Sequence, residues 1–216
     1  MRIEVENDAV RARKKQEYED LVSKMQSQGY EPRLEKISIV VANLFALVLL
    51  AVVGSISFLI HVMVNGKANF FHDAILDNFS VQLWTWILLL VYIVTIFVHE
   101  FIHGFFWHFP CQKKWGSIEF GFNAKMLTPY CHCREALSIP QYFWGCIAPT
   151  VILGILPIII GIVISSFGLI LLGVIGVCGG GGDIMVVWTL RKHRDCKLFD
   201  HPYEVGYAYF VRVSHE

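Results

Sequence analysis

The longest run without Asp, Glu, Lys or Arg covers residues 136–182 and reads ALSIPQYFWGCIAPTVILGILPIIIGIVISSFGLILLGVIGVCGGGG. An α-helix rises 1.5 Å per residue, so about 20 residues cross the ~30 Å hydrocarbon core of a bilayer. The run is far too long for one such helix and predicts two helices that cross as a hairpin. We place these spans at Gln141–Ile164 and Leu169–Leu190, with a tight turn between them.

Two further uncharged runs lie upstream, at Ile37–Gly66 and Asn78–His99. They predict a first span at Ile37–Val64 and a second at Gln82–Trp107. Only 17% of the residues are charged, the mean hydropathy is +0.53 and the net charge is zero. In soluble domains about a quarter of the residues are charged. A protein that binds a polyanion usually has a net positive charge. The composition therefore excludes a soluble enzyme, a disordered chain and a nucleic-acid-binding module, and predicts an integral protein of the lipid bilayer.

We predict an all-α polytopic membrane protein with four transmembrane helices and a short β-hairpin in the cytosolic central loop. Its parts are a cytosolic N-terminal amphipathic segment (1–36), a four-helix membrane domain (37–190) and a cytosolic C-terminal tail (191–216). The central loop and the start of the tail carry basic residues next to the predicted spans, at Lys113, Lys114, Lys125, Arg134, Arg191, Lys192 and Arg194. The loop after the first span offers only Lys67. The positive-inside rule therefore places both termini and the central loop in the cytosol.

The N-terminal segment carries signals for one helix. Asn7 or Asp8 is suited to cap it, and Gly29 to stop it after Gln28. Apolar residues recur at helical spacing at Val10, Tyr18, Leu21, Val22 and Met25. This stripe predicts a helix that lies on the membrane or on the protein's own cytosolic face.

The central loop contains a stretch, from Trp115 to Thr128, in which large apolar residues alternate with small or polar ones. Alternation with a period of two is typical of a β-strand, so the stretch predicts a short hairpin with Asn123 near its turn.

The second predicted span contains His99-Glu100-Phe101-Ile102-His103. Residues four apart lie on one helix face, so the two imidazoles converge on a single Zn²⁺, and Glu100 is placed to act as general base. Glu100 is also the one acid in this span, and ionisable residues inside a membrane are costly and usually functional. The alternative is that these are hydrogen-bonded packing residues near the membrane interface.

A catalytic zinc site needs a third protein ligand, for which Asp183 is the favoured candidate. Asp183 lies eight residues before Arg191 and His103 ten before Lys113, which places both about 12–15 Å inside the same basic flank. Glu135 remains an alternative third ligand because it follows His103 at a spacing found in soluble zincins.

Other residues near the predicted site have weaker signals. Cys131-His132-Cys133 has one possible metal-ligand spacing but no second pair, so free thiols are favoured over a second zinc site. His132 and Asn123 are candidates for a contact with the substrate or the transition state. Pro149 and Pro157 are expected to kink the third span and to open a polar path to the metal.

The chain resembles a family of bacterial four-span membrane proteins described as "putative zincin peptidases". The resemblance runs from about Tyr18 to Phe210 and rests on four segments: His99-Glu100-x-x-His103-Gly104, Thr128-Pro129-Tyr130-Cys131-His132-Cys133, Gly182-Asp183-Ile184 and Asp200-His201-Pro202…Gly206-Tyr207. It implies a metallopeptidase of the bacterial cell membrane.

The layout is also similar to that of site-2-type intramembrane metalloproteases. That similarity implies Asp183 as third ligand and membrane-associated proteins or peptides as substrates. The site-2 pattern has Asn-Pro and Asp-Gly where this chain has Ala148-Pro149 and Asp183-Ile184.

Taken together, these features predict a zinc metalloendopeptidase whose catalytic domain is residues 37–190. One catalytic Zn²⁺, held by His99, His103 and Asp183, activates a water molecule, and Glu100 is the general base. The alternative function is a non-catalytic membrane protein that binds or transports zinc, since intramembrane His and Asp residues also suit an ion path.

Overall fold

The computed structural model describes residues 3–5, 8–66, 80–123, 128–193, 195–201 and 206–212. Several residues used in the sequence interpretation lie outside these ranges, among them Asn7, Lys67, Lys125, Arg194 and Pro202. The described part of the chain is mostly helical (69%), with a small β-sheet region. The helices are α1 (Asp8–Ser27), α2 (Ile39–Asn65), α3 (Val81–His108), α4 (Ile139–Pro149), α5 (Leu156–Val163), α6 (Phe167–Gly179) and α7 (Gly181–Leu190).

Among the described residues, three helical stretches are long and apolar enough to cross a membrane: α2, α3 and the stretch Ile139–Val163. The last consists of α4, a π-helical turn (Thr150–Ile155) and α5. Helices α6 and α7 are bent by 48° around Gly180 and make a fourth span if they are counted as one. These helices agree with a membrane protein, while the four-span topology and its orientation stay predictions.

The chain divides into two compact units, each built from separated segments. The first unit contains Met1–Ile39, Glu100–Cys146 and Met185–Glu216, and the second contains Val40–His99 and Ile147–Ile184. The predicted division into residues 1–36, 37–190 and 191–216 follows expected membrane crossings and stays a prediction.

The first unit contains two β-sheets, where the sequence predicted one hairpin. The strands are β1 (Ile3–Val5), β2 (Tyr30–Lys36), β3 (Ile118–Asn123), β4 (Thr128–Cys133), β5 (Leu137–Ser138), β6 (Cys196–Asp200) and β7 (Gly206–Arg212). The predicted hairpin is the antiparallel pair β3–β4, and β1 pairs in parallel with β3. The second sheet has the order β2-β7-β6-β5. The all-α prediction therefore missed this sheet, because its strands come from three distant segments and no local turn signal joins β2 to β7.

Helix α1 ends within one residue of the predicted position and packs on the second sheet. It ends at Ser27, and Gly29 adopts the positive φ of 79° that a helix-terminating glycine supplies. Met25 is buried with Phe199 and Phe210, and further apolar side chains of the predicted stripe pack against this cluster. The stripe was predicted to face either the membrane or the protein itself. In the structure it packs against the protein itself.

A buried carboxylate joins α1 to the hairpin. The Glu119 side chain is only 6% exposed and lies 2.9 Å from Nη2 of Arg13, 2.9 Å from Nη2 of Arg134 and 3.5 Å from Nζ of Lys14. Lys14 is itself buried and donates a 2.8 Å hydrogen bond to the Tyr130 hydroxyl. Because several cations surround one desolvated anion, removal of the anion leaves buried positive charge without compensation.

We expect Glu119→Gln to lower the free energy of unfolding of the protein by about 3 kcal/mol. The reason is the uncompensated charge of Lys14, whose side chain is 3% exposed. Denaturant unfolding in detergent micelles measures the change. Glu19→Gln is the matched control, because its Lys15 partner is 3.8 Å away and both side chains are more than half exposed, so a change below about 0.5 kcal/mol is expected. Equal effects of the two substitutions would contradict a structural role of the network.

The second unit contains a tightly packed antiparallel helix pair. A Cβ placed on Gly161 would lie 2.8 Å from Ile170, one on Gly173 would lie 2.7 Å from Ile158, and one on Gly154 would lie 2.6 Å from Val177. Glycine is required at such positions because the backbones approach too closely for a side chain. The contacts form a ladder, with the pairs 161/170, 158/173 and 154/177, that fixes the register of α5 and the π-helical turn against α6.

Candidate metal centre

Helix α3 carries the two predicted histidine ligands on successive turns. His103 is 5% exposed, and its Nδ1 lies 2.8 Å from the carbonyl oxygen of Gly145. A carbonyl oxygen only accepts hydrogen bonds, so Nδ1 carries the proton and Nε2 of the neutral ring keeps its lone pair. A backbone carbonyl thus fixes the orientation of the imidazole. Metal-binding histidines are commonly oriented in this way, by a hydrogen bond from the ring nitrogen that does not bind the metal.

The Gly145 carbonyl reaches His103 because α4 packs closely on α3. The Trp107 ring stacks on His103 with ring centroids 5.1 Å apart, and its Nε1 donates a 3.2 Å hydrogen bond to the Tyr142 carbonyl. A Cβ on Gly145 would lie 2.0 Å from Nε1 of Trp107. The sequence did not predict this contact with His103. Every residue has a backbone carbonyl, so residue types do not indicate which carbonyl lies beside a histidine.

Asp183 lies in the first turn of α7 and faces His99. Oδ2 of Asp183 is 3.1 Å from Nε2 of His99, and the two side chains are 21% and 17% exposed. One ligand atom from each of His99, His103 and Asp183 lies within 4.8 Å of the others. Within the described ranges, this is the one such group of three or more His, Cys, Asp or Glu residues.

The chemistry of this donor set fits zinc. Imidazole nitrogen and carboxylate oxygen are ordinary ligands of Zn²⁺, and two histidines with one carboxylate form a known catalytic ligand set that leaves a fourth position open. The structure therefore brings together the three residues that the sequence analysis put forward as ligands.

Glu100 follows His99 directly and lies near strand β4 of the hairpin. Burial, and after it the negative charge of Glu100, raises the pKa of the Cys131 thiol well above its ordinary value. Phe120, which pairs with Cys131 in the β3–β4 register, packs on α3 so closely that a Cβ on Gly104 would lie 2.4 Å from its ring. One face of the hairpin is thus directed at the motif helix.

His132 and Asn123, the predicted substrate contacts, lie on the other face of the hairpin. Side chains alternate along a strand, so His132 shares its face with Glu119, its partner in the β3–β4 register, and with Tyr130. That face packs against α1, and Nδ1 of His132 is 3.1 Å from Oδ2 of Asp200. The substrate contact stays a prediction, and this placement lends it no support.

Glu135, the alternative third ligand, has other partners. Its carboxylate accepts hydrogen bonds from the backbone N–H groups of Gln112 (2.8 Å) and Lys113 (3.1 Å) and from the Ser117 hydroxyl. Burial opposes its ionisation, but these hydrogen bonds together hold the pKa of Glu135 below its ordinary value. Glu135 is therefore an ionised group that organises the loop after α3, and it is not part of the ligand group.

All six cysteines are free thiols, as predicted. The Sγ atoms of Cys111 and Cys133 lie 3.4 Å apart, and their hydrogen bond lowers the pKa of Cys111 and raises that of Cys133. No third ligand joins the pair within the described residues, so a second zinc site has no support.

The fold and the site define a class: an α-helical protein with membrane-length helices and a two-histidine, one-carboxylate metal-ligand group. Residues 92–198, which contain the whole group, match the model of the protein family described as "Putative zincin peptidase". The family predicted from the sequence is confirmed over this segment, whereas the similarity to site-2-type proteases stays a prediction. No curated protein and no solved structure matches the chain. The family description agrees with a metallopeptidase and with zinc as its cofactor.

Proposed function

We propose that the protein is a zinc-dependent membrane metalloprotease that hydrolyses peptide bonds of membrane-associated proteins. The observation that carries the proposal is the convergence of His99, His103 and Asp183, with Glu100 beside them on α3. The match to a zincin peptidase family supports the same reaction class.

In this proposal, His99, His103 and Asp183 hold the metal ion. Bound Zn²⁺ supplies activation of a water molecule and polarisation of the scissile carbonyl. The Gly145 carbonyl keeps the proton on Nδ1 of His103, which leaves Nε2 available. The 3.1 Å contact between His99 and Asp183 shows that their ligand atoms already face each other.

Glu100 acts as the general base and then as the general acid. Its carboxylate takes a proton from the attacking water and later delivers that proton to the leaving amine. Burial and the negative charge of Glu100 raise the pKa of the Cys131 thiol on the hairpin, so this thiol stays neutral and does not compete as a base.

The proposed substrates are membrane-associated because the motif lies in a membrane-length helix. His99 and His103 belong to a stretch of α3 with a mean hydropathy that suits a bilayer span, and Asp183 lies in the bent pair α6–α7. With both termini and the central loop in the cytosol, as the positive-inside rule predicts, the site lies toward the cytosolic side of the membrane, from which water would reach it.

Removal of the metal is expected to abolish proteolysis, and added Zn²⁺ to restore it. The test substrate is a synthetic peptide with one apolar span of about 20 residues and polar extensions on both sides. The peptide is reconstituted with the purified protein in vesicles, treated with a chelator and then with Zn²⁺, and its fragments are identified by mass spectrometry. Cleavage that survives complete chelation would contradict the proposal.

The alternative function, zinc binding or transport without catalysis, gives a different result in the same vesicles. It predicts uptake of Zn²⁺ into the lumen, reported by an enclosed zinc-sensitive dye, and an intact peptide. A carrier has no use for a carboxylate directly after its first ligand, so uptake unchanged by Glu100→Gln would favour the alternative.

A further inference from the structure

Thr150 is a buried hydroxyl in the apolar helix pair of the second unit. Its side chain is 2% exposed, and its Oγ1 has no hydrogen-bond partner among the residues that the structure describes. A buried polar group without a partner costs free energy, and such groups are uncommon in folded proteins. The presence of this hydroxyl therefore needs an explanation.

The backbone at Thr150 is unusual as well. Thr150 opens the π-helical turn that runs to Ile155, directly after the buried Pro149. A π-helical turn shifts the hydrogen-bond ladder by one residue, and such turns in α-helices are frequently found at functional sites. The π-helical turn lies where the sequence predicted a kink after Pro149, and the polar path to the metal stays a prediction.

The helix ladder places Thr150 one turn from Asp183. After the pairs 161/170, 158/173 and 154/177 comes the pair of Thr150 with Gly180, where a Cβ on the glycine would lie 2.1 Å from Oγ1. Along α6 and α7, the residues of successive pairs are three or four positions apart. The next position after Gly180 is therefore Asp183 or Ile184. The hydroxyl therefore contacts the α6–α7 pair at Gly180, one helical turn before the Asp183 ligand.

Packing alone does not account for a threonine at this position. Valine has nearly the same shape and would fill the space without burying a polar atom, so it would cost less free energy. We propose that the Thr150 hydroxyl is a substrate-binding group of the metal centre, which donates a hydrogen bond to a carbonyl oxygen of the bound peptide. The inference rests on the proposed function. A substrate carbonyl oxygen accepts hydrogen bonds, and the Thr150 hydroxyl is a donor that has no partner among the described residues.

The test compares Thr150→Val with Thr150→Ser in two measurements. The first is the rate of cleavage of the synthetic spanning peptide, where kcat/KM is expected to fall about tenfold for valine and to stay near that of the wild type for serine. The second is the Kd of the same peptide for zinc-loaded protein that carries Glu100→Gln, which reports binding without turnover. There, too, valine at position 150 is expected to weaken binding about tenfold.

Thermal unfolding separates a substrate-binding role from a structural one. Thr150→Val is expected to unfold at the same temperature as the wild type or a higher one, because it removes a hydroxyl that has no partner in the folded protein. Thr189→Val is the matched control. The Thr189 hydroxyl has partners in the Val186 carbonyl (2.8 Å) and the Tyr207 hydroxyl (2.9 Å), so its loss should lower the unfolding temperature and leave cleavage nearly unchanged.

Two outcomes would overturn the inference: an unchanged peptide Kd in Thr150→Val, and a serine variant as defective as the valine variant. If the unchanged peptide Kd came with an altered zinc affinity, the hydroxyl would instead act on the metal ligands through an ordered water beside Asp183. A wild-type protein that cleaves no peptide would contradict the proposed function, while the peptide Kd would still test Thr150.

Discussion

Glu100→Gln is expected to abolish peptide cleavage while the protein keeps its zinc. Glutamine has the size of glutamate but cannot take up a proton at neutral pH, and a positioned general base contributes about 10²–10⁴-fold to a rate. Glu100 is not part of the ligand group formed by His99, His103 and Asp183, so metal binding should be unaffected. Cleavage is followed with the spanning peptide, and zinc content is measured by elemental analysis of the same preparation.

Glu135→Gln is the matched control for this experiment. Glu135 is an acid with its own hydrogen-bond partners in the loop after α3, so its substitution should leave both zinc content and turnover near the wild-type level. Cleavage by Glu100→Gln at the wild-type rate would exclude the proposed mechanism, and loss of zinc from that variant would assign Glu100 to the metal instead.

Asp183→Asn is expected to weaken zinc binding at least 10- to 100-fold. Loss of a partner in the outer shell of a metal site already costs that much, and a direct ligand should cost no less. Asparagine keeps the shape of aspartate and can still hydrogen-bond to Nε2 of His99, 3.1 Å from Oδ2, so the change tests the negative charge and not the packing. Competition of the purified protein with a chromophoric chelator gives the affinity.

Asp195→Asn serves as the control for the Asp183 experiment. Asp195 is exposed and has a positive φ of 54°, a conformation that asparagine tolerates equally well. Wild-type affinity in Asp183→Asn, together with a loss of zinc in Glu135→Gln, would transfer the third ligand to Glu135.

The site was more predictable from the sequence than the fold around it. His99, Glu100 and His103 lie on one helix, where spacing alone determines which side chains share a face. Asp183 could be predicted because charged residues are rare in the apolar stretches of this chain, and a charged residue in such a stretch indicates a functional site. The second sheet gave no such signal, since β2 pairs with β7 across most of the chain.

The substrate contacts show where sequence reasoning reached its limit. His132 was a candidate for a contact with the substrate or the transition state. The register of β3 with β4 directs Cys131 to the α3 side and His132 to the side of α1. A shift of one residue would exchange these two faces, and only the paired strands determine it.

By itself, the sequence determined that this chain has helices of membrane length and that one of them carries a histidine pair with an adjacent carboxylate. Both properties follow from the local spacing of residues along a helix and from the free-energy cost of a charge in an apolar environment. The tertiary structure decided which acid meets the histidines, which carbonyl orients His103 and which hydroxyl lies beside the Asp183 turn. Those choices depend on close approaches at Gly145 and Gly180, where backbone meets side chain across elements far apart in the sequence. No local pattern encodes such approaches, because a glycine reads the same in a turn, a linker or a helix contact.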